Sequence, residues 1–244
     1  MNINKEKLNN LISAVNWDKI WCSNFSSDDN LFYFRNDQSY EQLDDYVERT
    51  GASKLVLISA DEDYVVKVPL RYVYDDCLYN SETDEYYDDY TPLHCAPIFN
   101  EDDDDYCEWD YCHSEVTVYE LAKEAGVEIF FAQTKCFCID PYPIYIQEKC
   151  RDFWCRKNHA RSKEEISERS NTLKKSVSNE RFDQLSSFQY DWIFDAIDTY
   201  GEELVFKFLD FIERYNINDL HSSNYGYSAI DNRPVLIDFS GFND

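Results

Sequence analysis

The stretch Asn218-Asp219-Leu220-His221-Ser222-Ser223-Asn224 and the later stretch Pro234-Val235-Leu236-Ile237-Asp238-Phe239-Ser240-Gly241 decide how the fold of this chain is predicted. In the first stretch, an Asp with an Asn five residues later is typical of a polar loop. Between the two stretches, Asp231-Asn232-Arg233-Pro234 is rich in turn-forming residues. The second stretch is typical of a short apolar strand that ends at Asp238. The sequence therefore predicts a loop, a turn and a strand, with polar side chains in the loop and at the strand end.

Phosphoryl transfer is a chemistry that uses this layout. One Asp orients the attacking hydroxyl, whereas an Asn and a second Asp hold Mg²⁺ on the nucleotide phosphates. With the form D-L-H-x-x-N followed by I-D-F-S-G, the chain resembles the catalytic core of the protein-kinase-like superfamily. It is most similar to aminoglycoside-phosphotransferase-type kinases and to small kinase-like proteins of tailed bacteriophages. The resemblance implies ATP and Mg²⁺ as cofactors, Asp219 as a catalytic residue, and Asn224 and Asp238 as metal ligands.

The chain departs from the protein-kinase pattern at three positions. Asn218 replaces the Arg that precedes the catalytic Asp, His221 stands in the place of a Lys, and Ser240 intervenes before Gly241. Each element alone also fits an ordinary structure, because Asp and Asn are frequent helix caps and turn formers. The order and spacing of the elements together carry the prediction.

Two apolar segments upstream predict a β-hairpin. Residues 54–59 and 64–69 are rich in Val, Leu and Ile, and the polar residues 60–63 separate them. Lys67 lies in the second strand. The resemblance implies that Lys67 is a catalytic residue that holds the α- and β-phosphates of ATP. The alternative is an ordinary hairpin with a solvated lysine.

The loop before this hairpin contains a single glycine. Gly51-Ala52-Ser53 stands where the resemblance would place a G-x-G-x-x-G loop over the phosphates. Gly51 permits one close backbone approach, and the N–H groups of Ala52 and Ser53 can still face a phosphate. The resemblance therefore implies a reduced phosphate-binding loop.

A helix is predicted over residues 109–125, with Gly126 as its C-terminal stop. Glu115 shares one stripe of this helix with apolar residues. The resemblance implies that Glu115 orients Lys67, and the alternative is a solvated helix glutamate. The apolar segment 144–150 predicts a strand that leads into a hinge, where backbone groups near Glu148 and Cys150 would pair with adenine.

The charge of the chain is strongly negative, with 49 acidic against 23 basic residues and a net charge of −26. This excludes general nucleic-acid binding, because phosphate contacts need a basic face. Residues 75–110 are densely acidic, contain no Lys or Arg, and predict a surface insertion. The simpler role of this stretch is solubility. In the sharper interpretation, its spaced carboxylates imitate a nucleic-acid backbone toward a basic partner.

The chain of 244 residues contains no apolar run of the ~18 residues that a membrane span requires. Its first residues lack an apolar signal segment, so we expect a cytoplasmic protein without membrane contact. The nine cysteines are an odd number and are expected to be reduced thiols.

The predicted architecture is α+β, a two-lobed protein-kinase-like fold. Residues 1–49 are predicted as an N-terminal extension, residues 50–150 as the N-lobe with the acidic insertion at 75–110, and residues 151–244 as a minimal C-lobe. Within this C-lobe, residues 188–200 and 202–215 have the pattern of two amphipathic helices. Because the chain ends three residues after Gly241, we expect no activation segment and no following helices.

The functional expectation is an ATP- and Mg²⁺-dependent phosphotransferase that acts on a host protein. The alternative is a pseudokinase, or an acidic nucleic-acid mimic, that inhibits a host defence enzyme by binding. The retained polar residues of the site favour the phosphotransferase. The single glycine in the phosphate-binding loop and the strongly negative net charge favour the inhibitor that acts by binding. The sequence leaves open whether the protein is an enzyme, which acceptor it would use and its oligomeric state.

Overall fold

The structure is a computed structural model, and the part of the chain that it describes is given in ranges. These are residues 6, 8, 20–24, 32–36, 46–50, 54–59, 62–73, 79–80, 85–86, 93–97, 111–137, 144–153, 161–217 and 220–239. The described chain is a mixed α+β protein that divides into two compact units. The first unit contains Met1–His113 and Lys135–Gln147, and the second contains Ser114–Thr134 and Glu148–Asp244.

The first unit is built around a β-sheet of eight strands that differ in length. Its strand order is β2-β1-β8-β5-β10-β9, and β3 joins it by pairing with β4, which pairs with β5. A separate two-stranded sheet is formed by β6 and β7. The strands are β1 Ile20–Asn24, β2 Phe32–Asn36, β3 Tyr46–Thr50, β4 Lys54–Ser59, β5 Tyr64–Val73, β6 Tyr79–Asn80, β7 Glu85–Tyr86, β8 Leu93–Pro97, β9 Thr134–Cys136 and β10 Tyr145–Glu148.

The long strand β5 organises this sheet. Its first half pairs antiparallel with β4, and its second half pairs antiparallel with β8. The predicted hairpin is therefore confirmed, and β5 continues beyond the predicted end at Pro69 to Val73.

Strands of the main sheet lie within two segments that were predicted as additions to the N-lobe. Within residues 1–49, predicted as an N-terminal extension, β1 pairs with β8, and β3, which begins there, pairs with β4. Within residues 75–110, predicted as an acidic insertion, Leu93–Pro97 is a strand between β1 and β5. Leu93–Pro97 has no acidic residue, although acidic segments flank it.

The second unit contains five helices among its described residues and a small antiparallel sheet in the order β11-β12-β13. A short 3-10 helix, Glu128–Phe130, follows the first of these helices. The helices are α1 Tyr111–Ala125, α2 Lys163–Ser176, α3 Asn179–Ser186, α4 Tyr190–Tyr200 and α5 Glu202–Arg214, and the strands are β11 Cys150–Asp152, β12 Tyr225–Ser228 and β13 Pro234–Leu236.

Aromatic side chains fill the core of the second unit. Phe130 stacks on Phe208 of α5 with ring centroids 4.3 Å apart, and Trp192 of α4 stacks on Phe188 at 5.2 Å. Val118 of α1 belongs to the same core. The predicted amphipathic helices α4 and α5 are confirmed, and their apolar stripes form most of this core.

Two of the helices are followed directly by a glycine. Gly126 follows α1 with φ +66°, and Gly201 separates α4 from α5 with φ +84°. Residues with a side chain rarely adopt such angles, so glycine is favoured at both helix ends. The predicted stop at Gly126 is confirmed.

The helix α2 is polar on most of its surface and is held by charged contacts. Arg161, just before α2, lies 2.9 Å from Asp195, and Arg169 of α2 lies 2.8 Å from Asp198. The Arg169 guanidinium also lies 4.6 Å from the ring centroid of Phe194, which adds a cation–π contact. These contacts dock α2 on α4.

Candidate functional site

The strands β12 and β13 form an antiparallel hairpin, with Tyr225 opposite Leu236 and Tyr227 opposite Pro234. Two backbone bonds close its turn. The Ser228 N–H donates to the Arg233 carbonyl at 2.9 Å, and the Asn232 N–H donates to the Ser228 carbonyl at 3.1 Å. The closed turn fixes the register, and the register determines which residues meet at the open end of the hairpin.

The open end brings Asn224 and Asp238 together. The Asn224 carbonyl accepts hydrogen bonds from the N–H groups of Ile237, at 2.7 Å, and Asp238, at 3.2 Å. The Asn224 N–H donates to the His221 carbonyl at 2.9 Å, which closes the loop before β12. Asn224 is buried and Asp238 is half-buried. The two residues predicted as metal ligands are therefore joined through their backbones at one end of the hairpin.

Side chains before and within α4 hold this hairpin in place. The Trp192 Nε1–H donates to the Gly226 carbonyl at 3.0 Å, and the Tyr227 hydroxyl donates to Asp195 Oδ2 at 2.7 Å. The Tyr225 hydroxyl accepts from the Gln189 N–H at 3.0 Å. Because these bonds are directional, they fix the orientation of β12 and hence of the adjacent Asn224.

Close packing on the remaining sides leaves the hairpin little freedom. A Cβ added at Gly226 would lie 2.1 Å from the Arg151 carbonyl oxygen of β11, so only glycine fits there. The Leu236 carbonyl accepts from the Ala132 N–H at 2.8 Å. Just after Asp238, the fully buried Phe239 packs edge-on against Phe131 at 5.0 Å. Both chain segments that lead to the open end are therefore anchored.

The donors at this open end fit Mg²⁺. An amide oxygen and a carboxylate are hard oxygen ligands, and Mg²⁺ commonly uses one or two carboxylates together with substrate phosphates and water. Within the described ranges, no group of three or more His, Cys, Asp and Glu side chains lies close enough to hold a metal. Asn224 and Asp238 thus fit a partial magnesium site that substrate phosphates would complete.

Two further predicted site residues are buried charged side chains. Lys67 of β5 is 3% exposed, and Glu115 of α1 is 0% exposed. The alternatives of a solvated lysine and a solvated glutamate are therefore wrong. Buried charges are normally retained only with compensating partners or a function, but the prediction that Glu115 orients Lys67 stays a prediction.

Glu148 is the centre of a buried polar network. Arg233 donates from Nη1 to Oε1 at 2.7 Å and from Nη2 to Oε2 at 2.6 Å. The Ser228 hydroxyl also donates to Oε1, and the Gln133 N–H donates to Oε2 at 3.2 Å. Burial would raise the pKa of Glu148, but these hydrogen bonds outweigh it and lower the pKa. The side chain therefore ties the chain at Glu148 to the β12–β13 turn.

The backbone of Glu148 also has partners. Its N–H donates to the Gln133 carbonyl at 2.8 Å, and its carbonyl accepts from the Cys150 thiol at 3.4 Å. Cys150 itself begins β11 and lies opposite Ser228 of β12. An adenine contact near Glu148 and Cys150 would have to use other backbone groups of this segment or share these, and it stays a prediction.

The Glu148–Arg233 pair was not anticipated as a unit. Its signals in the sequence were an acid at the end of an apolar strand and an arginine just before another apolar strand. Neither pattern identifies the other residue as its partner, because the two residues are 85 positions apart in the sequence.

Four predicted site residues lie outside the described ranges. These are the catalytic candidate Asp219 and the three loop residues Gly51, Ala52 and Ser53. Their predicted roles stay predictions.

Comparison with known protein families, curated proteins and solved structures finds no match to this chain. The chemistry of the residues themselves therefore carries the functional argument.

Proposed function

We propose that the protein is an ATP- and Mg²⁺-dependent phosphotransferase with a two-lobed, protein-kinase-like fold. One observation carries the proposal, the meeting of Asn224 and Asp238 at the open end of an anchored hairpin. An amide and a carboxylate separated by a short hairpin are the metal ligands that kinase-type phosphoryl transfer uses. The resemblance of the loop and strand sequences to kinase-like proteins supports the same function.

Each candidate residue has a role in this proposal. Asn224 and Asp238 would hold Mg²⁺, which supplies charge neutralisation on the phosphates. Lys67 would bind the α- and β-phosphates, and Glu115 would orient Lys67. Asp219 would orient the acceptor hydroxyl. The backbone of Gly51, Ala52 and Ser53 would contact the phosphates, and the segment near Glu148 and Cys150 would contact adenine.

The net charge of −26 makes the metal and the buried lysine important. A strongly acidic protein repels free ATP, although salt screens this repulsion beyond ~8 Å. Mg²⁺ reduces the charge of the nucleotide, and a lysine that is 3% exposed acts in a medium where its attraction for phosphate is little screened. We therefore propose that the protein binds Mg·ATP and does not bind free ATP appreciably.

The proposed acceptor is a hydroxyl group of a host protein, and this part of the proposal rests on the resemblance to bacteriophage kinase-like proteins. In the described part of the chain, no helix is long and apolar enough to cross a membrane. The alternative of a pseudokinase or acidic inhibitor predicts host-protein binding without phosphoryl transfer, and the experiment separates the two.

The test is thermal unfolding with and without Mg·ATP on the wild type, Asp238→Asn and Asp231→Asn. Asp231 is the matched control, because it lies in the turn at the opposite end of the same hairpin and is exposed. A ligand at 100 times its Kd adds about 2.7 kcal/mol of stability. We expect a Mg²⁺-dependent rise in Tm for the wild type and Asp231→Asn, and none for Asp238→Asn.

Two results would contradict the proposal. The first is no change in the Tm of the wild type at millimolar Mg·ATP, which would mean that the protein does not bind the nucleotide and acts by binding another protein. The second is a rise in Tm with Mg·ATP that is the same in the wild type and in Asp219→Asn, while neither of these two proteins transfers phosphate to host proteins. This result would show a pseudokinase that binds the nucleotide.

A further inference from the structure

Three aspartates form one stripe on α4. Asp191, Asp195 and Asp198 follow one another at spacings of four and three residues, and residues at these spacings are neighbours on the surface of a helix. Like charges at such positions repel each other and destabilise the helix. The stripe is therefore expected to need a cationic partner.

Arg161, just before α2, lies against all three aspartates. Its Nη1 lies 2.9 Å from Asp195 Oδ1 and 3.4 Å from Asp191 Oδ1, and its Nη2 lies 2.8 Å from Asp198 Oδ2. A guanidinium is planar and presents its donors in a fixed fork, so one side chain can hold several carboxylates in one arrangement. The Arg161 side chain is 18% exposed, and partial burial limits the screening of these contacts by salt.

Asp195 joins this contact to the β12–β13 hairpin. While its Oδ1 faces Arg161, its Oδ2 accepts a hydrogen bond from the Tyr227 hydroxyl at 2.7 Å. Tyr227 is 3% exposed and lies in β12. It follows Asn224 by three residues, which corresponds to about 10 Å along a strand. The same carboxylate therefore contacts the chain before α2 with one oxygen and the strand next to a candidate metal ligand with the other.

We propose that Arg161 and Asp195 are positioning residues for the candidate metal site at the open end of the β12–β13 hairpin. This inference rests on the proposed function and adds a control of it, since the docking of the chain before α2 on α4 sets the affinity of the site for Mg·ATP. Both residues act on the site through Tyr227 rather than by contact with the metal.

The strand β12 carries the effect from Tyr227 to the metal ligands. All four of its residues, Tyr225–Ser228, are buried, and closely packed interiors transmit displacements. Asn224 precedes β12, and its carbonyl accepts hydrogen bonds from the N–H groups of Ile237 and Asp238. A change at Tyr227 therefore alters the spacing of Asn224 and Asp238. Mg²⁺ binding is sensitive to this spacing, because the ion demands near-ideal octahedral geometry.

A second arginine provides a matched control. Arg169 of α2 lies 2.8 Å from Asp198 and 4.6 Å from the ring centroid of Phe194. It therefore docks the same helix on α4, whereas Arg161 also reaches Asp195. Loss of either arginine weakens the docking of α2, but only loss of Arg161 changes the contact that leads to β12.

The first experiment measures Mg·ATP affinity by titration calorimetry for the wild type, Arg161→Gln, Arg169→Gln and Tyr227→Phe. We expect Arg161→Gln and Tyr227→Phe each to weaken binding by about threefold to tenfold, and Arg169→Gln to bind like the wild type. The double variant Arg161→Gln with Tyr227→Phe should bind no more weakly than the weaker single variant, because both changes break one chain of contacts. Additive losses would overturn the proposal.

The second experiment needs no ligand. The N–H groups of Ile237 and Asp238 donate to the Asn224 carbonyl, so their hydrogen exchange reports local opening of the open end. NMR is expected to show faster exchange of these two N–H groups in Arg161→Gln and Tyr227→Phe than in Arg169→Gln and the wild type. Equal rates in all four proteins would show that Arg161 does not position the open end.

Failure of this inference is distinct from failure of the proposed function. If Arg161→Gln binds Mg·ATP as tightly as the wild type, or if Arg169→Gln weakens binding equally, the inference is wrong and the nucleotide site stands. If the wild type does not bind Mg·ATP, the proposed function and the effect on affinity are both wrong, and hydrogen exchange decides whether Arg161 positions the open end.

The fold of the variants is checked by thermal unfolding without ligand. Should Arg161→Gln not fold, Arg161→Lys replaces it, since lysine keeps the charge but lacks the fork that reaches several carboxylates. Equal Mg·ATP affinity and equal hydrogen exchange in Arg161→Lys and the wild type would then overturn the proposal.

Discussion

The two hairpins that carry candidate site residues differ in how polar bonds contribute to their stability. The β4–β5 hairpin has an apolar face, in which Leu57 and its neighbours are completely buried. The β12–β13 hairpin also lies in an apolar core, but polar bonds fix it in addition, from Trp192 to Gly226, from Tyr227 to Asp195 and from Arg233 to Glu148. Both are antiparallel pairs of short strands, so strand pairing alone does not account for the difference.

The difference matches what each hairpin is proposed to bind. Apolar packing is non-directional, and β4–β5 is proposed to supply a single charged group, Lys67, to the phosphates. Hydrogen bonds are directional, and they hold Asn224 and Asp238 with the accuracy that metal ligands need. A hairpin that positions a metal is therefore expected to be sensitive to loss of single polar groups, and the other to loss of apolar volume.

The largest effect is expected for Glu148→Ala. Removal of one partner of a buried ion pair typically costs about 3–5 kcal/mol, because the remaining charge is left uncompensated. Here Arg233 would lose both of its hydrogen bonds to the carboxylate and keep its ion pair with the exposed Asp231 at 3.1 Å, and the Ser228 hydroxyl would lose one bond, so the lower end of this range is expected. We expect a loss of about 3–5 kcal/mol in the free energy of unfolding, measured by urea denaturation.

A double-mutant cycle gives the control for this prediction. Replacement of both members of a buried pair by apolar residues is often close to neutral, so Glu148→Met with Arg233→Met should cost less than either single change. Purely additive losses would show that the two side chains act independently. A loss of less than about 1 kcal/mol in the free energy of unfolding for Glu148→Ala would mean that polar bonds add little to β12–β13 and that apolar packing stabilises it, as it does β4–β5.

An intermediate effect is expected for Leu57→Ala in β4. A large-to-small change at a fully buried leucine costs about 2–5 kcal/mol, depending on how far the cavity collapses. The control is Ile58→Ala, one residue further along and on the opposite face of the hairpin, where the side chain is only half-buried. We expect Ile58→Ala to cost about 1 kcal/mol or less in stability. Equal losses of stability would mean that both faces are core.

The elements that depend on local pattern could be predicted from the sequence. The apolar stripes of α4 and α5, the glycine after α1 and the Val-rich strands 54–59 and 64–69 each have a signal within one element. The neighbourhood of Asn224 and Asp238 could also be predicted, because a tight turn between them fixes the pairing of β12 and β13.

The features that depend on distant partners could not be predicted. Nothing near Glu148 in the sequence identifies Arg233 as its partner, since they lie 85 positions apart. The amphipathic pattern of α1 predicts a helix but not which unit buries Val118. Similarly, Leu93–Pro97 was obscured by the acidic segments on both sides, although its own five residues form a central strand.

The smallest effect is expected from acid, and the part of it tested here is the contribution of Glu148 to the β12–β13 hairpin. The hydrogen bonds of Glu148 hold its pKa below the ordinary value of 4.5. A carboxylate with a lowered pKa stabilises the folded protein above the pKa of the unfolded state, and this stabilisation is lost as the pH falls through the folded value. Protonation costs less than removal of the side chain, because the neutral acid can still accept a hydrogen bond from Arg233.

The measurement is the free energy of unfolding of the wild type and of Glu148→Gln between about pH 7 and about pH 3. Other groups titrate in both proteins, including Asp198, whose pKa is lowered by the hydrogen bond from Arg169. The difference between the two proteins therefore isolates Glu148. We expect this difference to be largest near neutral pH and to shrink below about pH 4.5. A difference that is independent of pH would mean that Glu148 acts through its shape and hydrogen bonds rather than its charge.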